Sequence, residues 1–174
     1  MELLIGCGRS RERKMSPPDR PDWTKLVTLD VNKDHKPDVL HDLKDIPLPF
    51  PDNTFDEIHA YEVLEHVGAQ GDFRFFFDQW SDFWRILKPD GVVCGTSPLP
   101  TSVWAFGDPG HTRIVSKESF VFLCQPQYNL QVGKTPMSDY RYCYKADFDP
   151  VHIQEAKETF IFVLQAVKPA RIAN

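Results

Sequence analysis

Leu3-Leu4-Ile5-Gly6-Cys7-Gly8 joins a short apolar run to a glycine turn. Gly6 and Gly8 accept backbone angles that a Cβ forbids, and their bare backbone lets a flat ligand lie close. Asp30 closes a second apolar run, Leu26 to Leu29. A carboxylate in that place can accept both hydroxyls of a ribose, and a turn or helix-capping aspartate would leave the same trace. Asp42 follows Val39-Leu40-His41 and could accept a hydrogen bond from an exocyclic amine such as that of adenine. Leu43 beside it offers a backbone amide and an apolar contact. His66 and His111 are candidate general bases, because an ordinary imidazole titrates near neutrality. His66 also fits a structural hydrogen bond at a helix start, and Glu65 reads as a cap or brace for the helix that follows. His111 stands in a loop with Asp108 three residues before it.

The elements that must position these residues alternate between strands and helices. Short strands are predicted at Leu3–Ile5, Trp23–Asp30, Pro37–Leu43, Phe55–Tyr61 and Val92–Thr96, where apolar and β-prone residues cluster. Glu62 to Val67 forms a turn or short helix at the end of the fourth strand. Asp72 to Lys88 is a helix, with Phe73, Phe76, Phe77, Trp80, Phe83, Trp84 and Leu87 recurring at three- and four-residue steps as a core stripe. Lys88-Pro89-Asp90-Gly91 stops it. A loop runs from Pro98 to Arg113, and Ser116 caps a helix through Cys124. Tyr128–Gly133 and Thr159–Val167 read as two late strands joined by a long, irregular connection, one of them antiparallel. The run Arg9-Ser10-Arg11-Glu12-Arg13-Lys14 is a solvated loop or a basic lip for an anionic substrate, and Pro17, Pro18 and Pro21 preclude a long helix there.

The totals fit one soluble domain spanning 1–174. Hydrophobic residues are 41% and charged residues 26% of 174, enough to bury a core. A net charge of −5 argues against general binding to nucleic acid or an anionic membrane. No apolar run is long enough to span a bilayer and no secretory leader is visible, so a cytoplasmic setting is expected. Cys7, Cys94, Cys124 and Cys143 are scattered without a Cys-x-x-Cys pair, so neither a disulfide framework nor a metal site is expected.

Taken in order, these segments resemble the class I S-adenosylmethionine-dependent methyltransferases, nearest a compact type 11-like subgroup. Leu4-Ile5-Gly6-Cys7-Gly8 is similar to the family's glycine motif, Asp30 to its ribose-binding acid, and His41-Asp42-Leu43 to its adenine-side motif. Leu48-Pro49-Phe50 with Phe55-Asp56, Val63-Leu64-Glu65-His66-Val67 and Arg85-Ile86-Leu87-Lys88-Pro89-Asp90-Gly91 resemble later segments of the same pattern. Asp108-Pro109-Gly110-His111-Thr112-Arg113 resembles an Asp-Pro-x-His-x-Arg run of the subgroup. The resemblance implies an α/β, Rossmann-like fold: a mostly parallel seven-stranded sheet whose final strand is antiparallel. It implies S-adenosylmethionine as cofactor, leaving as S-adenosylhomocysteine. Gly6, Cys7 and Gly8 would face its methionine and ribose, Asp30 and Val31 its ribose side, Asp42 and Leu43 its adenine, and Tyr61 and Glu62 its methionine.

The chain departs from the family at several points. Ser10 and Arg11 stand where a small residue is common, and Leu4 stands where an acid is common. No helices precede the first strand and the first helix is reduced, so the site is expected to be open. An open site suits a large acceptor such as a saccharide end, or one completed by a second copy or a partner subunit. The acceptor itself is not legible; an O or N atom is expected to take the methyl group. A catalytically silent cofactor-binding subunit is the alternative, favoured by Leu4 and Ser10. A nicotinamide-dependent oxidoreductase fits less well, because the third glycine and any Tyr-x-x-x-Lys pair are missing.

Overall fold

The computed structural model describes residues 1–15 and 22–172. Its strands are β1 (Glu2–Ile5), β2 (Leu26–Asp30), β3 (Val39–Leu40), β4 (Phe55–Tyr61), β5 (Leu87–Pro98), β6 (Phe148–Ala156) and β7 (Thr159–Ala166). They form one sheet in the order β3-β2-β1-β4-β5-β7-β6. The first five run parallel, and β7 runs antiparallel to both β5 and β6. Chain order reverses between β1 and β4, and ligands of open α/β sheets bind outside the carboxyl ends at such a switch point. The mixed seven-stranded sheet with its antiparallel last strand is the expected one.

One face of the sheet carries the apolar core. Helix α1 (Phe73–Ile86) starts at Asp72, whose carboxylate accepts the Phe75 amide at 3.1 Å. Its buried stripe is Phe77, Trp80, Phe83 and Ile86. Trp80 meets Phe83, Phe120, Phe148 and Phe162 at centroid distances of 5.5 to 6.4 Å, mostly edge to face. Arg85 donates to the carbonyls of Leu48 and Phe50 and so pins the proline-rich segment before β4 against α1. The short helices α2 (Trp104–Gly107), α3 (Lys117–Phe120) and α4 (Gln125–Gln131) follow β5.

The opposite face is polar under β4. Glu57, His59 and Tyr61 alternate along the strand and all are buried. No helix lies among residues 9–15, which reach this face through Arg13 and Met15. Arg13 donates to Glu57, and His59 bridges Glu57 at 2.8 Å and the Tyr61 hydroxyl at 2.6 Å. The Met15 amide donates to the same hydroxyl at 3.1 Å, and Trp23 sets its edge against His59 at 4.8 Å. The basic run therefore sends Arg13 inward, its side chain 3% exposed, where a solvated loop or lip was expected. The reason is the carboxylate it meets: Glu57 is buried and has to be paired. Pro17, Pro18 and Pro21 lie outside the described residues.

The late part of the chain corrects the sequence reading. Tyr128–Gly133 is not a strand, because Pro126 opens α4 in its first turn and Tyr128 buries itself on that helix. The sixth strand is Phe148–Ala156, and a tight turn at Lys157 and Glu158 joins it to β7. The helix expected from Ser116 to Cys124 is one turn, Lys117–Phe120, and Ser116 makes no side-chain capping bond. Strand β3 is two residues long, and β5 begins five residues early, at Leu87 paired with Phe55. Among the described residues no helix is long and apolar enough to cross a membrane.

Candidate active site

The carboxyl ends of β1, β2, β3 and β4 bring most of the sequence-selected residues to one edge. After β1 the chain turns through Gly6 (φ 56°) and Gly8 (φ 55°). A Cβ on Gly6 would stand 2.2 Å from Val63 Cγ2, so this turn and the one after β4 interlock only with glycine there. The Gly8 amide donates to Asp30 Oδ2 at 2.8 Å, and the Asn32 amide to Asp30 Oδ1 at 2.8 Å. His35 Nδ1 lies 3.1 Å from the same Oδ1. Burial raises the Asp30 carboxyl, but the two amides and His35 outweigh it and hold the group below the ordinary carboxylate range. Asp30 thus braces the glycine turn, and Oδ2 keeps a lone pair for a ligand.

Around Asp30 the surfaces are apolar and open. Val31 is 65% exposed and Leu40, paired with Asp30 across β2 and β3, is 58% exposed. Exposed apolar residues at the end of adjacent strands can take a flat ring against them. Asp42 accepts the Lys44 amide at 2.9 Å through Oδ1, and among the described residues Oδ2 has no hydrogen bond. Leu43 is buried in the main core, so its side chain is not on the open surface beside Asp42. Cys7 is buried, its thiol directed to the Gly8 carbonyl at 3.5 Å. Arg11, read in the sequence as part of a solvated loop or basic lip, clasps this region. It donates to the carbonyls of Gly8, Ser10, His35 and Lys36 at 2.9 to 3.2 Å, tying the loop after β1 to the one after β2.

At the end of β4 the hydroxyl of Tyr61 is committed to His59 and Met15, and burial pushes its pKa well above the ordinary phenol. Glu62 follows with φ 53° and an exposed side chain. A left-handed glutamate is strained, and strain of that kind collects at ligand sites. The chain then enters a 3₁₀ turn, Leu64–His66. Glu65 does not cap α1, as its position in sequence suggested. Its side chain is buried against Ser97 at 3.1 Å, and its carbonyl accepts the amides of Thr112 at 2.9 Å and Arg113 at 3.3 Å. Those bonds draw the loop after β5 onto the turn after β4. They bring His111 to His66, ring centroids 4.4 Å apart and nearly perpendicular. Gly110 lets the loop close, since a Cβ there would lie 2.9 Å from His66 Nδ1. Burial pushes the Glu65 carboxyl up to about 7 and pulls Arg113 down to about 10.

Beside this cluster, Arg113, Phe73, Phe76, Phe122 and Tyr140 line a cavity of about 230 Å³ at the start of α1. Phe73 and Phe76 belong to the stripe read as core, yet they are half-buried and form a wall. Their three-residue spacing alone could not separate wall from core. Arg13 and His59 were missed because their partners lie 44 and 2 residues away on a face whose polarity only the sheet register reveals.

A family model described as a methyltransferase domain matches residues 3–95. Sterol 24-C-methyltransferase of Pneumocystis carinii is 29% identical over 68 residues, which are 39% of this chain and 16% of that protein. The chain thus spans only a small part of this curated relative. An S-adenosylmethionine-dependent methyltransferase of Archaeoglobus fulgidus superposes with a TM-score of 0.58 at 17% identity, over 94% of this chain and 85% of that one. The methyltransferase in a Haloferax volcanii complex with the Trm112 methyltransferase activator gives 0.56 at 13% identity, over 95% and 82%. With its family match over more than half its length, and with the strand order and glycine turn that the fold requires, the chain belongs to the class I S-adenosylmethionine-dependent methyltransferase family.

Proposed function

We propose that this chain transfers a methyl group from S-adenosylmethionine to an oxygen or nitrogen atom of a saccharide or small metabolite. The observation that carries the reading is the convergence of Gly8, Asp30, Asp42 and the strained Glu62 on the edge where β1 and β4 part. When bound, the cofactor supplies a methyl carbon already activated by its sulfonium. The chain's own residues then bind and orient. Asp30 accepts a ribose hydroxyl through the lone pair that Gly8 leaves, Val31 and Leu40 flank the adenine, Asp42 accepts from its amine, and the Glu62 carboxylate pairs with the methionine ammonium. The acceptor enters beside the turn after β4, with its body against Phe73, Phe76 and Tyr140. His66 or His111 holds the proton that such an acceptor loses.

Calorimetric titration with S-adenosylmethionine, S-adenosylhomocysteine and NAD tests the reading. Micromolar binding of the first two, lost in Asp30→Ala, is expected. Binding of NAD alone, or of none of the three, would reject it. A second reading, a catalytically silent cofactor-binding subunit of a larger complex, is favoured by the commitment of Asp30 to the chain's own Gly8 and Asn32 amides and to His35. It predicts cofactor binding without methyl transfer by this chain alone.

A further inference from the structure

Glu65, His66 and His111 place one carboxylate oxygen and two ring nitrogens within 4.8 Å of one another. Glu65 is only 2% exposed. Ser97 satisfies its Oε2, but Oε1 is buried with no hydrogen-bond partner among the described residues, and so is His111 Nδ1. Two such atoms in one cluster, one of them a carboxylate oxygen, ask for a ligand, because buried polar groups are otherwise paired. Arg113, two residues on in the loop, does not answer it: it donates to the Leu64 carbonyl at 2.8 Å and to Gln79 at 2.6 Å.

We propose that Glu65, His66 and His111 form a binding site for a first-row transition-metal dication. Two imidazoles and a carboxylate are the donor set of a borderline cation such as Zn²⁺, Fe²⁺ or Co²⁺; Mg²⁺ prefers oxygen throughout. Ligand atoms on one zinc stand about 3.4 Å apart in a tetrahedron. Binding draws the ligand atoms together from a spacing of up to 4.8 Å, and the two turns that carry them are already fastened through the Glu65 carbonyl. The Ser97 hydroxyl orients the carboxylate, as an outer group does around a bound metal. Three protein ligands leave positions for water or for an acceptor oxygen. That last role rests on the transferase reading, and in it the liganded imidazoles position the acceptor in place of taking its proton; cation binding does not rest on that reading.

The test uses the full chain, stripped with a chelator and carrying Cys143→Ser, because Cys143 is the exposed thiol. Zn²⁺ and Mg²⁺ are titrated calorimetrically, and Co²⁺ is followed by its visible absorption. One equivalent of Zn²⁺ is expected, with ligand-field bands for Co²⁺ and no heat from Mg²⁺. Glu65→Gln and His111→Ala should each weaken Zn²⁺ at least tenfold. Should Glu65→Gln fail to fold, His111→Ala in its loop and His66→Gln carry the comparison. Absence of Zn²⁺ binding, affinity unchanged in His111→Ala, or a cobalt spectrum dominated by thiolate charge transfer overturns the proposal. S-adenosylhomocysteine binding to the metal-free protein is measured in parallel, so that a missing cation site and a missing cofactor site are told apart.

Discussion

Asp30 Oδ2 accepts the amide hydrogen of Gly8 at 2.8 Å, across 22 residues of sequence. The residue proposed to hold the cofactor's ribose therefore also holds the glycine turn that the cofactor lies against. Asp30→Ala should cost stability and affinity together. Leaving the amides of Gly8 and Asn32 without this charged acceptor is expected to destabilise by roughly 2 kcal/mol. Urea unfolding and calorimetry on the same preparation check it; loss of binding at full stability would show that Asp30 does not brace the turn.

The same carboxylate sets a pH dependence. Its pKa in the folded chain is depressed: burial raises it, but the amides of Asn32 and Gly8 lower it further. The contribution of Asp30 is thus fully present above the unfolded-state pKa, about 3.9, and is lost as pH falls through the lower folded-state value. Unfolding measured from pH 6 downward should show wild type losing stability at the acid end, with a smaller loss in Asp30→Asn. Parallel acid profiles would contradict the depressed pKa.

Gly6 and Val63 predict a rescue. A methyl group on Gly6 meets Val63 Cγ2 at 2.2 Å in a backbone with φ 56°. Gly6→Ala should destabilise by about 2–4 kcal/mol from the clash and the left-handed angle combined. Adding Val63→Ala removes Cγ2 but keeps the Val63 Cβ 2.8 Å away, so it should return only part of the clash and leave the rest with the left-handed angle. Strict additivity of the two single changes in thermal unfolding would mean that the turns do not touch.

Local signals made much of this edge legible. Phe55–Tyr61 is the fourth strand as read, because its apolar residues and its glycine-free run are local facts. Asp72 and the aromatic stripe place α1 within two residues. What stayed hidden depends on register. Phe148–Ala156 is an outer strand with five consecutive exposed residues and an irregularity between Pro150 and His152, so its alternation is broken. Glu65 and His111 look like an isolated acid and an isolated base until the Glu65 carbonyl joins their loops, 46 residues apart. His59 looks like any strand residue until Leu4 and Cys94 are set on either side of it.

Glu62 should trade stability for binding. It is the residue after β4, left-handed at φ 53° and exposed. Glu62→Gly removes the backbone strain and is expected to stabilise the chain by about 0.5–1 kcal/mol. It also removes the carboxylate proposed to pair with the methionine ammonium, so S-adenosylmethionine affinity should fall about tenfold. A charge-assisted bond of roughly 1.5 kcal/mol corresponds to that factor. Higher Tm with unchanged affinity would take Glu62 out of the site while leaving the strain argument intact.

The buried row on β4 gives the last test. Arg13, Glu57, His59, Tyr61 and the Met15 amide form one directional chain. Tyr61 accepts from Met15 and donates to His59 Nδ1, which leaves His59 Nε2–H to donate to Glu57. Burial raises the Glu57 pKa, but the bond from His59, its largest influence, and the charge of Arg13 hold it below the ordinary value. Arg13→Met would take a cation away from the buried Glu57 carboxylate and should cost about 3 kcal/mol. Tyr61→Phe would strand an amide and an imidazole nitrogen and should cost about 1–3 kcal/mol. Arg13→Met combined with Glu57→Gln should recover part of the first loss, since the charge that needed Arg13 is gone. If the double variant is less stable than Arg13→Met alone, Arg13 acts through its packing over Trp23, 5.0 Å from the ring centroid, and the charge is secondary.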